Sequence, residues 1–316
     1  MALHAVVMAA GEGKRLKTQV AKVLHQAAGQ SLLDHVLAAL APLRPALTVV
    51  VIGHLRDQLA AHLAGCADIM TAIQDPPRGT GDAVVQALGC LPEEGELLII
   101  SGDTPLLTTD SLAGLVRARR ERDAAVAVTT AVLADAGGYG RILRGAAGDV
   151  VGIVEARDAT GGQRLINEVN AGSYACDLAR LRPLLAALTP DNAQGEYYLT
   201  DVIRAAVERG WPVAGHVLAD PDEMAGVNTR AELAKVHRLL SARIAAHWQG
   251  EGVTILDPAT TWIEAGCTIG ADTVIEPGVH LRAGCHIGAG CHIGANSVLT
   301  ALTLGDREVV PPLSRL

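Results

Sequence analysis

Short apolar runs alternate with amphipathic ones over the first part of the chain. Ala5 to Met8 and Leu47 to Ile52 read as buried strands, and Asp68 to Ile73 and Glu96 to Ser101 as further strands. Between them, Ser31 to Leu40 and a stretch from about Asp82 to Leu88 carry helical patterning, with Ser31 as an N-cap and Asp34 favourably placed in the first turn. Strands and helices alternating at this spacing predict an α/β fold, a mostly parallel sheet with helices on both faces. Ligands of such sheets lie beyond the carboxyl ends of the strands. Farther on, Gly226-Val227-Asn228-Thr229 leads into a long helix with Leu233, Val236, Leu240 and Ile244 on one face.

A different period takes over near residue 251. Ile263, Ile269, Ile275, Leu281, Ile287, Ile293 and Leu299 recur every sixth residue, the hexapeptide pattern of a parallel β-helix whose stacked coils bury one continuous core. The place two residues earlier holds Thr261, Cys267, Thr273, Val279, Cys285, Cys291 and Ser297, and it needs a small side chain. Cys285-His286 and Cys291-His292 resemble metal ligands, yet they read better as structural cysteines beside outward-facing histidines. At some 18 residues per coil the repeat gives about three coils. It then reaches Val309-Val310-Pro311-Pro312-Leu313-Ser314-Arg315-Leu316, which reads as a break in the repeat and a natural stop.

Composition narrows the partners. A chain of 316 residues can hold two domains, and its net charge of −8 argues against DNA or RNA as the main partner. No run approaches the roughly 20 apolar residues of a membrane span, and no signal pattern opens the chain, so a cytoplasmic protein without membrane insertion is expected. The six scattered cysteines then read as free thiols.

The candidate chemistry starts in the loop after the first strand, Ala9-Ala10-Gly11-Glu12-Gly13-Lys14-Arg15, with Lys22-Val23-Leu24-His25 following. Its glycines let backbone N–H groups approach a ligand, and Arg15 and Lys22 add two cations, a set suited to a polyphosphate. It matches neither the dinucleotide fingerprint nor the Walker pattern. Gln74-Asp75-Pro76-Pro77-Arg78-Gly79-Thr80-Gly81 offers an amide and free N–H groups to a nucleobase edge, or is an ordinary Pro/Gly connection. Asp103, just after an apolar strand and Gly102, offers a magnesium ligand or a turn cap. Glu155 and Asn170 interrupt strand-like runs, either to meet sugar hydroxyls or to face solvent, and Tyr197-Tyr198 line a pocket or pack in a core. Asn228 either caps the long helix or joins Asp103 on a metal, while Thr229 and Glu232 spell a capping box.

Taken in order, Ala9-Ala10-Gly11 to Arg15, Lys22-Val23-Leu24-His25, Gly79-Thr80-Gly81, Gly138-Tyr139-Gly140-Arg141-Ile142, Asn192 to Asp201 and Gly226-Val227-Asn228 resemble the bacterial N-acetylglucosamine-1-phosphate uridyltransferases. The resemblance runs from the first strand into the hexapeptides. It implies a Rossmann-like nucleotidyltransferase domain over residues 1–228, a linker helix over 229–250 and a short left-handed β-helix over 251–316. It implies attack by N-acetylglucosamine-1-phosphate on the α-phosphorus of UTP, with Arg15 and Lys22 on the phosphates and magnesium on Asp103 and Asn228. By the same resemblance Ala9, Ala10, Gly11, Gly13, Gln74, Gly79 and Thr80 would bind the nucleotide. Gly102, Gly140, Glu155, Asn170, Tyr198 and Thr200 would bind the sugar. A homo-oligomer, a trimer through the β-helix, is expected.

Ala21 stands where that family usually has proline, which predicts a less rigid segment under Lys22. Lys14 and Ala171 each replace a usual threonine. The family's longer members continue into an acetyltransferase site, so the short repeat predicts no acetyl transfer here. Three other readings stay open: a sugar-1-phosphate nucleotidyltransferase for another base or sugar, a nucleotide-sugar-binding or regulatory paralogue that has lost turnover, and a hexapeptide acyltransferase.

Overall fold

The computed structural model describes residues 1–66 and 68–316. By its internal contacts the chain divides into two compact units, residues 1–24 with 33–228, and residues 25–32 with 229–316.

The first unit is built on one mixed sheet. Its strands are β1 (Leu3–Met8), β2 (Leu47–Ile52), β3 (Ile69–Ile73), β4 (Glu96–Ser101), β5 (Val126–Val132), β6 (Arg141–Arg144), β7 (Val150–Val154), β8 (Glu168–Asp177) and β9 (Val213–Val217). They follow the order β9-β5-β8-β4-β1-β2-β3, with β6 and β7 forming a hairpin beside β8. Along that path β8 alone runs against its neighbours, β4 and β5. Helices α1 (Leu32–Leu40), α2 (Arg56–Leu63), α3 (Thr80–Ala87), α4 (Thr109–Glu121), α5 (Leu178–Ala186) and α6 (Asp201–Glu208) connect the strands.

The central strands read as unbroken apolar runs because both of their faces are covered. Val6, Val49, Val51, Leu97 and Ile99 point into one core, and Ala5, Val7, Val50, Ile52, Leu98 and Ile100 into the other. Register then sets the position of the loops. Met8 pairs with Val51 on one side and Ser101 on the other, and Ile52 with Ile73, so the loops after β1, β3 and β4 leave the same end of the sheet. Helix α3 begins at Thr80, two residues before the patterning suggests, because Gly79 takes the N-cap position with φ of 112°. Ser31 ends a short strand immediately before α1.

In the second unit, a small hairpin of Gln26–Ala27 with Gln30–Ser31 joins a 21-residue helix, α7 (Arg230–Gly250), and the coils. Ala28 N–H donates to His237 Nδ1 at 3.1 Å and the Ala28 carbonyl accepts from Ala265 N–H at 2.9 Å, which fastens the hairpin to both. The hexapeptides form a left-handed parallel β-helix. Two-residue strands stack in three parallel ladders, with partners such as Trp262 and His280 18 residues apart. The seven apolar residues of the repeat are all buried, as are the seven small residues two places earlier. Cys267 Sγ lies 3.1 Å from the Arg282 carbonyl and Cys291 Sγ 3.1 Å from that of Gly305, while His280, His286 and His292 face outward.

The expected break at Pro311-Pro312 is corrected. Val309–Val310 pairs with His292–Ile293, and beyond the prolines Val298 N–H donates to the Ser314 carbonyl and Thr300 N–H to that of Leu316, each at 2.8 Å. The prolines sit at a corner of the coil, where their missing N–H groups interrupt no ladder bond.

Cys285 has no exposed surface and stands where only a small side chain fits. Cys285→Leu is expected to destabilise the second unit by about 1–3 kcal/mol through overpacking, and Cys285→Ala by less. Denaturant titration of both variants checks this; equal midpoints would contradict it.

Candidate functional site

Met8, the last residue of β1, hands the chain to a loop that needs glycine. Gly13 has φ of 62°, and a Cβ there would come within 3.0 Å of Lys22 Cβ. Any side chain would therefore push Lys22 away. Behind Lys22, Ala21 is buried, and its N–H donates to Gln58 Oε1 at 2.9 Å while Gln58 Nε2 donates to the Gln19 carbonyl at 2.8 Å. The expected looseness at Ala21 is thus answered by a side chain of α2, through a hydrogen bond that proline could not make.

Lys22 reaches two residues from distant parts of the chain. Its ammonium donates to Asn228 Oδ1 at 2.7 Å and is ion-paired with Asp103, with only 12% of the lysine side chain and 14% of the aspartate side chain exposed. Asp103 is itself fixed, since its Oδ1 accepts from Ser101 Oγ at 2.6 Å and its carbonyl from Val227 N–H at 3.0 Å. The two readings of Asn228 separate here. Thr229 caps α7 in a capping box with Glu232, and the Asn228 side-chain oxygen turns to Lys22. Glu223 anchors the preceding turn by accepting from Thr108 N–H at 3.0 Å and Ser111 Oγ at 2.9 Å, at the N-terminus of α4.

Asp103 also opens on a cleft of about 440 Å³, lined by Ala9, Ala10, Gly11, Glu12, Lys14, Lys22, Gln74, Gly79, Thr80 and Glu196 among others. Arg15 is exposed outside this lining and makes no hydrogen bond or ion pair among the described residues, whereas Lys14 pairs with Glu12. Gln74 is buried, and its Nε2 donates to the Gly79 carbonyl at 2.9 Å and to Asp82 Oδ2 at 2.8 Å. A Cβ on Gly79 would lie 2.6 Å from the Tyr197 carbonyl, so the stretch from Asn192 to Asp201 presses directly on this loop.

Of the residues expected to hold a sugar, Gly140, Glu155, Asn170 and Thr200 gather outside that lining, whereas Gly102 stands between Ser101 and Asp103, which belong to it. Thr200 Oγ1 donates to Glu155 Oε1 at 3.1 Å, and a Cβ on Gly140 would sit 3.5 Å from Glu155 Oε2. The Gly140 carbonyl accepts from Asn170 N–H at 2.8 Å. Burial raises the pKa of the Glu155 carboxyl, Asp158 and Asp201 add to the rise, and the Thr200 hydrogen bond opposes it. Asn170 spends one N–H on Tyr174 Oη and accepts from Gly172 N–H, and Tyr198 Oη accepts from Gln194 at 2.7 Å. The Gly102 N–H is bound to the Met8 carbonyl at 2.9 Å.

Asp103 and Asn228 present one anionic and one neutral oxygen to a single cationic group, the donor type that hard divalent cations take. Among the described residues no group of three or more His, Cys, Asp or Glu side chains is placed to hold a metal. A cation on this pair would therefore complete its shell with water and substrate oxygens.

A loop of backbone N–H groups and cations beyond the carboxyl end of β1 is suited to a phosphate ligand. The model of the MobA-like NTP transferase domain matches residues 5–244. The chain belongs to that family. Six bacterial transferase hexapeptide repeats match residues 266–301. The chain is 46% identical over 308 residues to the bifunctional protein GlmU of Mycobacterium tuberculosis (strain ATCC 25177 / H37Ra), covering 95% of this chain and 62% of the relative. It is 48% identical over 283 residues to the protein of the same name from Mycobacterium avium (strain 104), covering 87% and 58%. The chain thus spans about three fifths of the length of these curated relatives.

Gln58, Asp82, Glu223 and Ser101 were not foreseen from the sequence. Each acts by orienting a residue that was, and only Asp82, in the first turn of α3 beside Gly79-Thr80-Gly81, left a local signal.

Gln58→Ala is expected to lower turnover by roughly three- to tenfold, the weight of the lost hydrogen bonds on Lys22 placement. Adding Ala21→Pro should restore most of it, because the ring supplies the constraint instead. Steady-state rates of the two variants decide the matter; no rescue by proline would contradict the role given to Gln58.

Proposed function

We propose that this chain transfers a uridylyl group from UTP to N-acetylglucosamine-1-phosphate, yielding UDP-N-acetylglucosamine and pyrophosphate. What carries the reading is the convergence of Lys22, Asp103 and Asn228 beside the Gly11-to-Arg15 loop, in a cleft that Gln74, Gly79 and Thr80 also line. The resemblance across the chain supports the choice of base and sugar.

In this reading a phosphate oxygen of the sugar phosphate bonds to the α-phosphorus as the bond to the departing pyrophosphate breaks. The protein's task is to hold two anions in line and to stabilise charge on the phosphorus. Backbone groups at Ala9, Ala10, Gly11 and Gly13 cradle the phosphates. Exposed Arg15 is free to close over the leaving pyrophosphate, and Lys22 neutralises the reacting centre. Asp103 and Asn228 would hold magnesium once the Lys22 ammonium leaves them for the phosphates, and the metal, when bound, supplies charge neutralisation for the phosphate oxygens. Glu155 can only accept when ionised, which suits a sugar hydroxyl, and Asn170 keeps one N–H to donate. Gly102, Gly140, Tyr198 and Thr200 complete the sugar pocket, and the β-helix serves self-association as a trimer. The substrates place the protein in the cytoplasm, and among the described residues no helix is long and apolar enough to cross a membrane.

Pyrophosphate release across a panel of nucleoside triphosphates and sugar phosphates tests the proposal. UTP with N-acetylglucosamine-1-phosphate and magnesium should be the preferred pair. Arg15→Ala should lose roughly 10²–10³ in kcat with an unchanged melting temperature. A different preferred pair would mark another sugar-1-phosphate nucleotidyltransferase, and silence on every pair a binding paralogue.

A further inference from the structure

Gln74 is 5% exposed, and its amide has been oriented before any ligand arrives. Both partners of Nε2, the Gly79 carbonyl and the Asp82 carboxylate, are acceptors. The amide nitrogen must therefore face them, because the flipped amide would set oxygen against two oxygens. Oε1 is left with no hydrogen bond among the described residues, on a side chain that lines the cleft.

Asp82 is held in turn. It is 7% exposed and lies in the first turn of α3, where the helix N-terminus favours a carboxylate. Its second oxygen accepts from Gln86 Nε2 at 3.2 Å and faces the Arg78 guanidinium at 3.4 Å. Two donors thus keep Asp82 in place, and Asp82 keeps Gln74 turned.

We propose that Asp82 is a specificity-determining residue, which makes the Gln74 amide an acceptor toward the base and so favours uracil over cytosine. The inference rests on the reading that Gln74 meets the base. Uracil carries an N–H at N3, which an amide oxygen accepts; cytosine has a lone pair there, which the same oxygen repels. A pyrimidine ring of either kind fits the cleft equally in shape, so the sign of one hydrogen bond separates them.

The test is the ratio of kcat/KM for UTP to that for CTP. Asp82→Asn offers a donor where only acceptors stood and releases Gln74 to turn its nitrogen outward. The ratio should fall roughly five- to tenfold, with loss on UTP exceeding any loss on CTP. An equal change for both nucleotides, or no change, would overturn the proposal, since a merely structural role moves both alike. Asp82→Ser, whose hydroxyl also donates, is read in the same way if the asparagine variant does not fold. Gln74→Leu separates the two levels of the argument. If it leaves the ratio intact, Gln74 does not meet the base; if it lowers the ratio and the Asp82 variants do not, the role of Asp82 alone is lost.

Discussion

The site depends on the Lys22 ammonium lying between Asp103 and Asn228. Removing a lysine and an aspartate from water is costly, and the cost is offset only where geometry and further hydrogen bonds are good. Here Ser101 and the Val227 N–H restrain Asp103, and the end of the cap box releases Asn228. One contact therefore ties the loop after β1, the loop after β4 and the approach to α7. Each segment has its own reason to be where it is. The sheet register sets the first two side by side, and Glu223 anchors the third through the N-terminus of α4.

The same contact explains several small features that otherwise look unrelated. Gly13 is required because Lys22 passes too close for a side chain. Gln58 replaces with a side-chain hydrogen bond the rigidity that a proline at position 21 would bring. The two oxygens around the ammonium, one anionic and one neutral, are also the donors on which the proposed metal would sit.

The fold was legible because the patterns that encode it are local. Apolar runs buried on both faces gave the central strands to within a residue or two, and the six-residue period located the inward side chains from Ile263 to Leu299, though not Ile255 and Val310, which stack in the same coils off that period. What the sequence hid was long-range or depended on corners. Pro311-Pro312 looked like a break, yet prolines are tolerated where a coil turns. The ambiguity at Asn228 could not be settled from spacing, since cap and ligand readings share one signature; only the neighbouring Thr229 cap and the distant Lys22 separate them. Gln58 lies 37 residues from the segment it restrains and carries no motif. Of the sites proposed from the sequence, the nucleotide half lies along one cleft apart from Gly13 and Arg15, which are outside its lining. The sugar half, Gly102 excepted, lies around Glu155, whose carboxyl pKa is raised mainly by burial.

The most direct measurement is the single-turnover rate of UDP-sugar formation by Lys22→Ala beside that of the unaltered chain, with melting temperature recorded for both. The account predicts a loss of roughly 10²–10³ with the first unit still folded, because the cation at the reacting centre is gone. A rate within a few-fold of the unaltered chain would contradict it.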